Sequence, residues 1–447
     1  MSSFPNIVLL HAHDAGRFCS PYGAPVDTPN LAAFAREGVL FRKAFCTAPT
    51  CGPSRAALFT GQYPHQIGVY GLPGRSGWRI DNYDKHLVHQ LNRHGYHTVL
   101  AGCQHEVEHN RIGELGYKEV LSRPGRSDGE CYPETVIDVE SFLARKHAHP
   151  FFLSFGVDEP HNDNIARPEL RLFGLADRHS KTRYYDPAKI DARYVAPPSH
   201  LPDLPIIRRE MASLAVGAHI MDEYFGRVLW ALRHYGYEEN TLVIITTDHG
   251  LGLPGAKKTM NDMGLGVMLM LRGPGGFSGG KVFDGLVSHI DIYPTLFEMI
   301  GQPTPPWVEG RSLLSLAAGR VSDGQVREEI FGEQTYHDGL EPLRCIRTER
   351  YKLVLRHYPT GPLLPWDGVT GEAVNAFGWM NRSLGTTELF DLYLDPNEAC
   401  NRAENAEYAI IRHDLENRLK AWLERTGDPF LLGKFPRPPS GIDPSKG

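Results

Sequence analysis

The sequence predicts an α/β protein with a doubly wound, mostly parallel sheet, followed by a smaller α+β domain with an antiparallel sheet. Three observations predict it. Four short, unbroken apolar runs recur along the first three hundred residues, helical stretches separate them, and the pattern changes character near residue 325. A chain of 447 residues is too long for one compact core, so two domains are expected.

The first run, Ile7-Val8-Leu9-Leu10, follows Pro5 and reads as a strand buried on both faces. Thr28-Pro29 opens a helix expected to run through Leu31, Phe34 and Val39. Asp84 to His94 reads as helical and closes on Gly95. Its His86, His89 and His94 read as a solvated face. Thr98–Ala101 and Phe151–Phe155 are the second and third strands. Ile206 to Tyr235 is a long helix, and Leu242–Ile245 is the fourth strand. Beyond 325, Ile330-Phe331, Leu343–Arg347, Tyr351–Leu355 and Leu389–Tyr393 read as short strands, with a turn at Thr348-Glu349-Arg350. A helix from Glu407 to Thr426 closes the chain. The boundary is placed near Gly319 to Asp323, giving domains 1–322 and 323–447. Stretches 158–205 and 356–386, rich in Pro and Gly, read as long irregular loops able to shape a site or reach a second copy in a homo-oligomer.

The net charge of -6 gives no basic excess to draw nucleic acid. No apolar run reaches the length of a membrane span. The start, Met1-Ser2-Ser3-Phe4-Pro5, has neither the basic region nor the cleavage site of a secretory signal. Seven scattered cysteines without a CxxC argue against a disulfide framework or zinc ribbon, so a reducing, cytoplasmic compartment is expected.

Ligands of open α/β sheets bind outside the carboxyl ends of the strands. There the four runs end in His11-Ala12-His13-Asp14, Gly102-Cys103-Gln104-His105-Glu106, Asp158-Glu159-Pro160-His161 and Thr247-Asp248-His249-Gly250. A lone His or Asp at a strand end is usually a cap, but four such ends on one edge make a site. His13, Asp14, Asp248 and His249 offer two carboxylates and two imidazoles for one divalent ion. Oxygen ligands alone favour calcium or magnesium, and imidazole shifts the preference toward manganese or another transition ion. A hydrogen-bonded His–Asp cluster without metal is the bland alternative. His11, His65, Glu106 and Asp158 read as supporting residues. In Thr50-Cys51-Gly52-Pro53-Ser54-Arg55-Ala56-Ala57-Leu58-Phe59-Thr60-Gly61, Pro53 suits a helix start and Gly61 its end. Cys51 then lies at a positive helix N-terminus, which favours a thiolate, and Arg55 one turn on can hold an oxyanion.

Cys51-x-Pro53-Ser54-Arg55 with Thr60-Gly61 resembles the signature of type I sulfatases. The resemblance extends to Pro5–Leu10, Thr246–Gly250, Ser288–Thr295 and Leu389–Glu398. Thr60–Leu72 and Gly427-Asp428-Pro429-Phe430 resemble most the heparan N-sulfatase branch. Asp248-His249 is also similar to the phosphonate monoester hydrolases and phosphodiesterases of the same alkaline phosphatase superfamily. The resemblance implies that Cys51 is oxidised to formylglycine by a maturation enzyme and, once hydrated, attacks the sulfur of a small-molecule or saccharide sulfate. It further implies a metal held by His13, Asp14, Asp248 and His249 together with residue 51, with Arg55 steadying the nucleophile. His161 and Lys257 hold the anion and protonate the leaving group, with Lys258 as the alternative lysine, and His105 helps release sulfate. The chain departs from the family pattern twice. His13 replaces an Asp, moving the expected metal from calcium toward manganese. Gln104 takes a lysine's place in the substrate pocket, removing one sulfate-binding cation. A phosphonate monoester hydrolase or phosphodiesterase is the second reading, and a catalytically inactive binding protein the third.

Overall fold

The computed structural model describes residues 4–121, 134–161, 190–319, 326–358, 368–378 and 384–441. Its strands are β1 (Asn6–Ala12), β2 (Val39–Phe45), β3 (His97–Gly102), β4 (Glu119–Leu121), β5 (Phe151–Gly156), β6 (Thr241–Thr247), β7 (Gly266–Val267), β8 (Leu269–Arg272) and β9 (Lys281–Ser288) in a first sheet. Its principal helices are α1 (Pro29–Glu37), α2 (Cys51–Thr60), α3 (Leu87–Arg93), α4 (Thr135–Leu143), α5 (Pro205–His234), α6 (Ile292–Met299), α7 (Gly368–Ala376) and α8 (Ala409–Thr426).

The strand order is β4-β3-β5-β1-β6-β8-β2-β7, with β9 paired to β2. From β4 to β6 every pairing is parallel. β8 then runs antiparallel between β6 and β2. All residues of β1, β5 and β6 are buried. Alternate side chains point to opposite faces, so Val8 and Leu10 enter one core while Ile7 and Leu9 enter another. The first core is closed by α1, α4 and α5, and the second by α3, α6 and part of α2. A continuous apolar strand is what two covered faces demand. No described helix is long and apolar enough to cross a membrane.

The second sheet consists of β10 (Glu329–Tyr336), β11 (Leu340–Thr348), β12 (Tyr351–Arg356) and β13 (Thr387–Asp391), all antiparallel in that order. α8 packs Leu415, Leu419, Trp422 and Leu423 against Phe331, Ile346, Leu353 and Leu389 of this sheet. The same cluster contains Ala57 of α2, Tyr63 and Ile290. The helix that begins at Cys51 is therefore wedged between the two sheets.

The structure corrects several expectations. α1 stops at Glu37, because a Cβ at Gly38 would meet the Leu271 carbonyl at 2.5 Å and Val39 already opens β2. The stretch 83–94 is a short 3-10 turn and then α3, broken at His86. His86 is no solvated residue: it is fully buried, its Nδ1 caps Val88, and its ring stacks on Phe59 at 4.9 Å. The last strand ends at Asp391, short of Tyr393. The stretch 356–386 contains α7, whose Val374 joins the first core. Cys103 is disulfide-bonded, which scattered spacing does not announce. The predicted boundary at Gly319 to Asp323 falls mostly on residues 320–325, outside the described residues, as do residues 162–189 of the first long loop.

Candidate active site

β3, β5, β1 and β6 are parallel neighbours, so their carboxyl ends share one edge. Gly102 has φ 72°, and a Cβ there would lie 2.2 Å from the Gly156 carbonyl. Only glycine lets β3 leave the sheet so close to β5 and carry His105 over the site. Asp14 has φ 57°, a left-handed conformation that Asp tolerates better than most residues. Its backbone N–H donates to Asp248 Oδ1 at 2.9 Å, which ties the ends of β1 and β6 together.

α2 starts at Cys51 after an extended Thr50 and ends on left-handed Gly61. Pro53 occupies the first turn, where its missing N–H has no partner to lose. Every residue of α2 is buried, which follows from its place between the sheets. Gly52 faces Pro73, and a Cβ would approach its Cδ to 2.4 Å. Ser54 Oγ donates to the Asp248 carbonyl at 2.5 Å, docking the helix onto the end of β6. Arg55 Nη2 lies 3.3 Å from Asp248 Oδ2 and donates to the Ala12 carbonyl at 3.2 Å, while Nη1 meets His11 Nδ1. His11 is held in turn by Ser154 at 3.0 Å.

Around Cys51 lie Asp14 and Asp248, both fully or nearly fully buried. Cys51 Sγ is 3.3 Å from His249 Nε2. His249 Nε2 is 3.1 Å from Asp14 Oδ1, and His13 Nδ1 is 3.0 Å from the same oxygen and 3.4 Å from Asp248 Oδ2. Lys257 Nζ donates to both Asp14 oxygens, at 2.9 and 3.1 Å. Burial alone would raise the Cys51 thiol, but Lys257, His13 and His249 outweigh it and hold it well below its usual range. Burial works against the charged form of the imidazoles too. It is outweighed at His249 by Asp248 and Asp14, which lift the ring to about 10, and at His13 by Asp248 and Cys51, which raise it as well. Against burial, Lys257, His161 and His249 keep Asp14 ionised, and His13, His249 and Arg55 keep Asp248 so.

These residues fit a divalent ion. Ligand atoms of Asp14, Cys51, Asp248 and His249 lie within 4.8 Å of one another, and so do those of His13, Asp14, Cys51 and His161. Asp248 Oδ2 is buried and, although Arg55 and His13 approach it, receives no well-aligned hydrogen bond from the described residues. Two buried carboxylates that draw protons onto two imidazoles are short of positive charge, and a metal supplies it by displacing those protons. The mixed oxygen and nitrogen donors suit manganese as well as calcium.

The five metal candidates thus stand together, with His161 beside them: its Nε2 is 3.8 Å from Asp14 Oδ2. His105 Nδ1 is 2.8 Å from His13 Nε2, and burial with His13 lowers His105 to about 4, so it is neutral at neutral pH. A cavity of about 640 Å³ opens here, lined by Cys51, Gln104, His105, His161, Lys257 and Lys258 among others. Gln104 lines it with a side chain whose amide serves its own loop. Its Oε1 accepts from the N–H groups of Glu106 and Val107, and its Nε2 donates to the Val107 carbonyl. Of the weaker sequence candidates, Glu106 is buried in this region, and burial raises its carboxyl to about 7. His65 lies elsewhere, bonded to Glu333 of the second sheet. Sequence reasoning missed Ser54 as the clamp on β6 and gave His11 too little weight as the support of Arg55. A serine inside a helix and a histidine one place before the strand's last residue carry no signal of their own.

Comparison with known proteins agrees with this geometry. The sulfatase family profile matches residues 5–302, and that of the N-sulphoglucosamine sulphohydrolase C-terminal region matches residues 254–361. An ulvan-active sulfatase of Formosa agariphila is 27% identical over 480 residues, covering 95% of this chain and 75% of the relative. Human N-sulphoglucosamine sulphohydrolase is 27% identical over 467 residues, covering 95% and 91%. Among solved structures, BT4656 in complex with its substrate D-glucosamine-2-N,6-O-disulfate superimposes with a TM-score of 0.73 at 19% identity, covering 96% of this chain and 99% of the other. A phosphonate monoester hydrolase from Silicibacter pomeroyi gives 0.69 at 22% identity, covering 96% of each.

Proposed function

The chain belongs to the sulfatase family, and from that premise we propose that it hydrolyses a saccharide sulfate ester or sulfamate with residue 51, as formylglycine, for its nucleophile. The observation that carries the reading is the position of Cys51. It begins a buried helix, has Arg55 one turn on, and is ringed by Asp14, Asp248, His13 and His249. The saccharide class is supported by the two relatives named for sulfated sugars, the human N-sulphoglucosamine sulphohydrolase and BT4656.

Each residue has a share of the work. The first N–H groups of α2 point at the anion and favour negative charge. Arg55 holds Asp248 and braces the end of β1. Lys257 balances the charge of Asp14 and of the entering sulfate. His161 is placed to give a proton to the leaving oxygen or nitrogen, and neutral His105 to take one from the nucleophile's hydroxyl. Formylglycine supplies an aldehyde whose hydrate offers an attacking hydroxyl and can be regenerated, splitting the reaction into two steps. A divalent ion held by Asp14, Asp248, His249 and His13 supplies, when bound, Lewis-acid polarisation of the sulfuryl oxygens.

The test is relative turnover by one preparation of nitrophenyl sulfate, an N-sulfated glucosamine and a phenylphosphonate monoester. Sulfate or sulfamate cleavage with the larger kcat/KM is expected. Turnover of the phosphorus ester alone would replace this reading by the phosphonate hydrolase one.

A further inference from the structure

The cavity that reaches Cys51 has a second charged group, which shares with the residues assigned so far only Lys258, the alternative to Lys257. Arg75, Lys258, His337 and Asp338 all line it. They come from three parts of the chain. Arg75 lies on the helical turn Pro73–Ser76, which packs on Gly52 of α2. Lys258 follows Lys257 with φ 65°, and its N–H is fixed to the Pro49 carbonyl at 3.0 Å. His337 and Asp338 form the turn between β10 and β11, in the second sheet.

Three basic side chains converge on one carboxylate. Arg75 Nη1 donates to Asp338 Oδ1 at 2.5 Å, His337 Nδ1 lies 2.9 Å from the same oxygen, and Lys258 Nζ pairs with Oδ2. Both Asp338 oxygens are thereby engaged, and the carboxylate has little left to offer a ligand. Two formal cations against one carboxylate leave the group with net positive charge. His337 is only 7% exposed, yet neither ring nitrogen makes a well-aligned hydrogen bond among the described residues. A buried ring nitrogen left without a partner costs free energy unless something occupies it. Arg75 has a half-exposed guanidinium with further N–H donors directed by its fixed fork geometry.

We propose that Arg75, Lys258 and His337, gathered round Asp338, form a second anion subsite that takes a carboxylate or a further sulfate of the saccharide whose scissile sulfate lies at Cys51. Asp338 is the internal counter-ion that holds the three bases in place. With Nδ1 facing the Asp338 carboxylate, Nε2 can donate to an anion only from the doubly protonated ring; burial opposes that charge, and an incoming anion favours it. The subsite selects for substrates with two anionic groups and ties that choice to the turn of the second sheet. It rests on the sulfatase reading.

The test compares the parent enzyme with Arg75→Ala and His337→Gln on four sulfates. These are nitrophenyl sulfate, N-sulfated glucosamine, its 6-O-sulfated form, and a uronate-linked disaccharide with the same N-sulfate. Loss of a charged hydrogen bond predicts a fall in kcat/KM of about tenfold or more on a doubly anionic substrate. Nitrophenyl sulfate should stay within about twofold, since it carries no second anion for the subsite to hold. A fall confined to the 6-O-sulfated sugar assigns the subsite to sulfate, and one confined to the disaccharide assigns it to carboxylate. Equal losses on all four substrates, or none on any, overturn the proposal. If Arg75→Ala is unstable, Arg75→Gln keeps the stem and removes the charge. Should the parent cleave no sulfate at all, the sulfatase reading fails by itself. Equilibrium binding of glucuronate and of glucose 6-sulfate then decides the subsite, and equal affinities in parent and variant overturn it.

Discussion

At the scale of the residue, the site is a balance of buried charges, and each group is fixed by a partner that can be removed. Arg55 spans Asp248, the Ala12 carbonyl and His11 with one planar fork. Lysine keeps the charge but offers a single point of contact. Arg55→Lys should therefore fold as the parent does and lose about a hundredfold or more in kcat/KM, checked by circular dichroism beside sulfate turnover. The imidazoles give a second prediction. In the metal-free site His249 is lifted to about 10, so its ring is protonated at pH 8, and His13 is raised as well. A divalent ion needs its imidazole ligands neutral, so adding manganese to the metal-free protein in weak buffer at pH 8 should release protons. Binding without proton release would exclude His249 as a ligand. Much of this scale was legible in the sequence, because Cys51, Pro53, Arg55 and the four acid-and-histidine strand ends are local patterns. Gln104 was not. Its place in the family pattern set it in the substrate pocket, which it lines, but its amide is committed to the N–H groups of Glu106 and Val107. A side chain's choice between its own loop and a ligand leaves no mark in composition.

At the scale of the element, burial on both faces explains why β1, β5 and β6 could be read directly: nothing in them alternates, and only a covered parallel sheet permits that. β2 and β9 escaped notice for the opposite reason. The apolar start of β2 continues the helical spacing of α1, and β9 exposes its first residues, so neither carries the pattern of a buried strand. The long helix α5 was legible because its apolar face repeats over many turns, but it buries two acids, Asp222, which accepts from Asn30 and Leu31, and Glu210. Glu210 is buried on the face of Ile207, Met211 and Leu214, and one of its carboxylate oxygens has no hydrogen-bond partner among the described residues. Burial lifts its carboxyl to about 8 from an ordinary 4.5. Below pH 4.5 it is protonated whether the chain is folded or not. Between 4.5 and 8 the unfolded chain loses the proton first, so stability falls as pH rises, and the effect is complete above 8. The melting temperature should follow that slope, and Glu210→Gln should flatten this part of it. A variant with the parent's pH profile would show that Glu210 finds a partner when ionised.

At the scale of the molecule, the second sheet is part of the catalytic architecture. Its core includes Ala57 of α2, its Glu333 holds His65, and its first turn places Asp338 at the cavity. Fully buried Arg344 in β11 donates through Nε and Nη2 to the two carboxylate oxygens of Asp428, which follows α8. Removing one partner of such a pair leaves a charge stranded in the interior. Asp428→Ala should therefore lower stability by about 3–5 kcal/mol in denaturant titration. Since one apolar cluster crosses from α2 to the second sheet, parent and variant should each unfold in one transition. A separate early transition of the second sheet would contradict the shared core. The sequence revealed that a second, antiparallel unit exists, because its short strands differ in kind from the buried runs before them. It did not reveal where that unit docks. Contacts such as Lys258 with Asp338 join residues far apart in the chain, and no local pattern encodes them.

The central claim is that residue 51 is the nucleophile and works as formylglycine. The most direct measurement is the mass of the tryptic peptide Ala44–Arg55 from a preparation with sulfatase activity. That peptide contains Cys46, a buried thiol that burial pushes far up, as an internal control. Cys51 alone is expected to have lost its CH2–SH group to an aldehyde, with Cys46 unchanged. An active enzyme whose residue 51 is still wholly cysteine would contradict it.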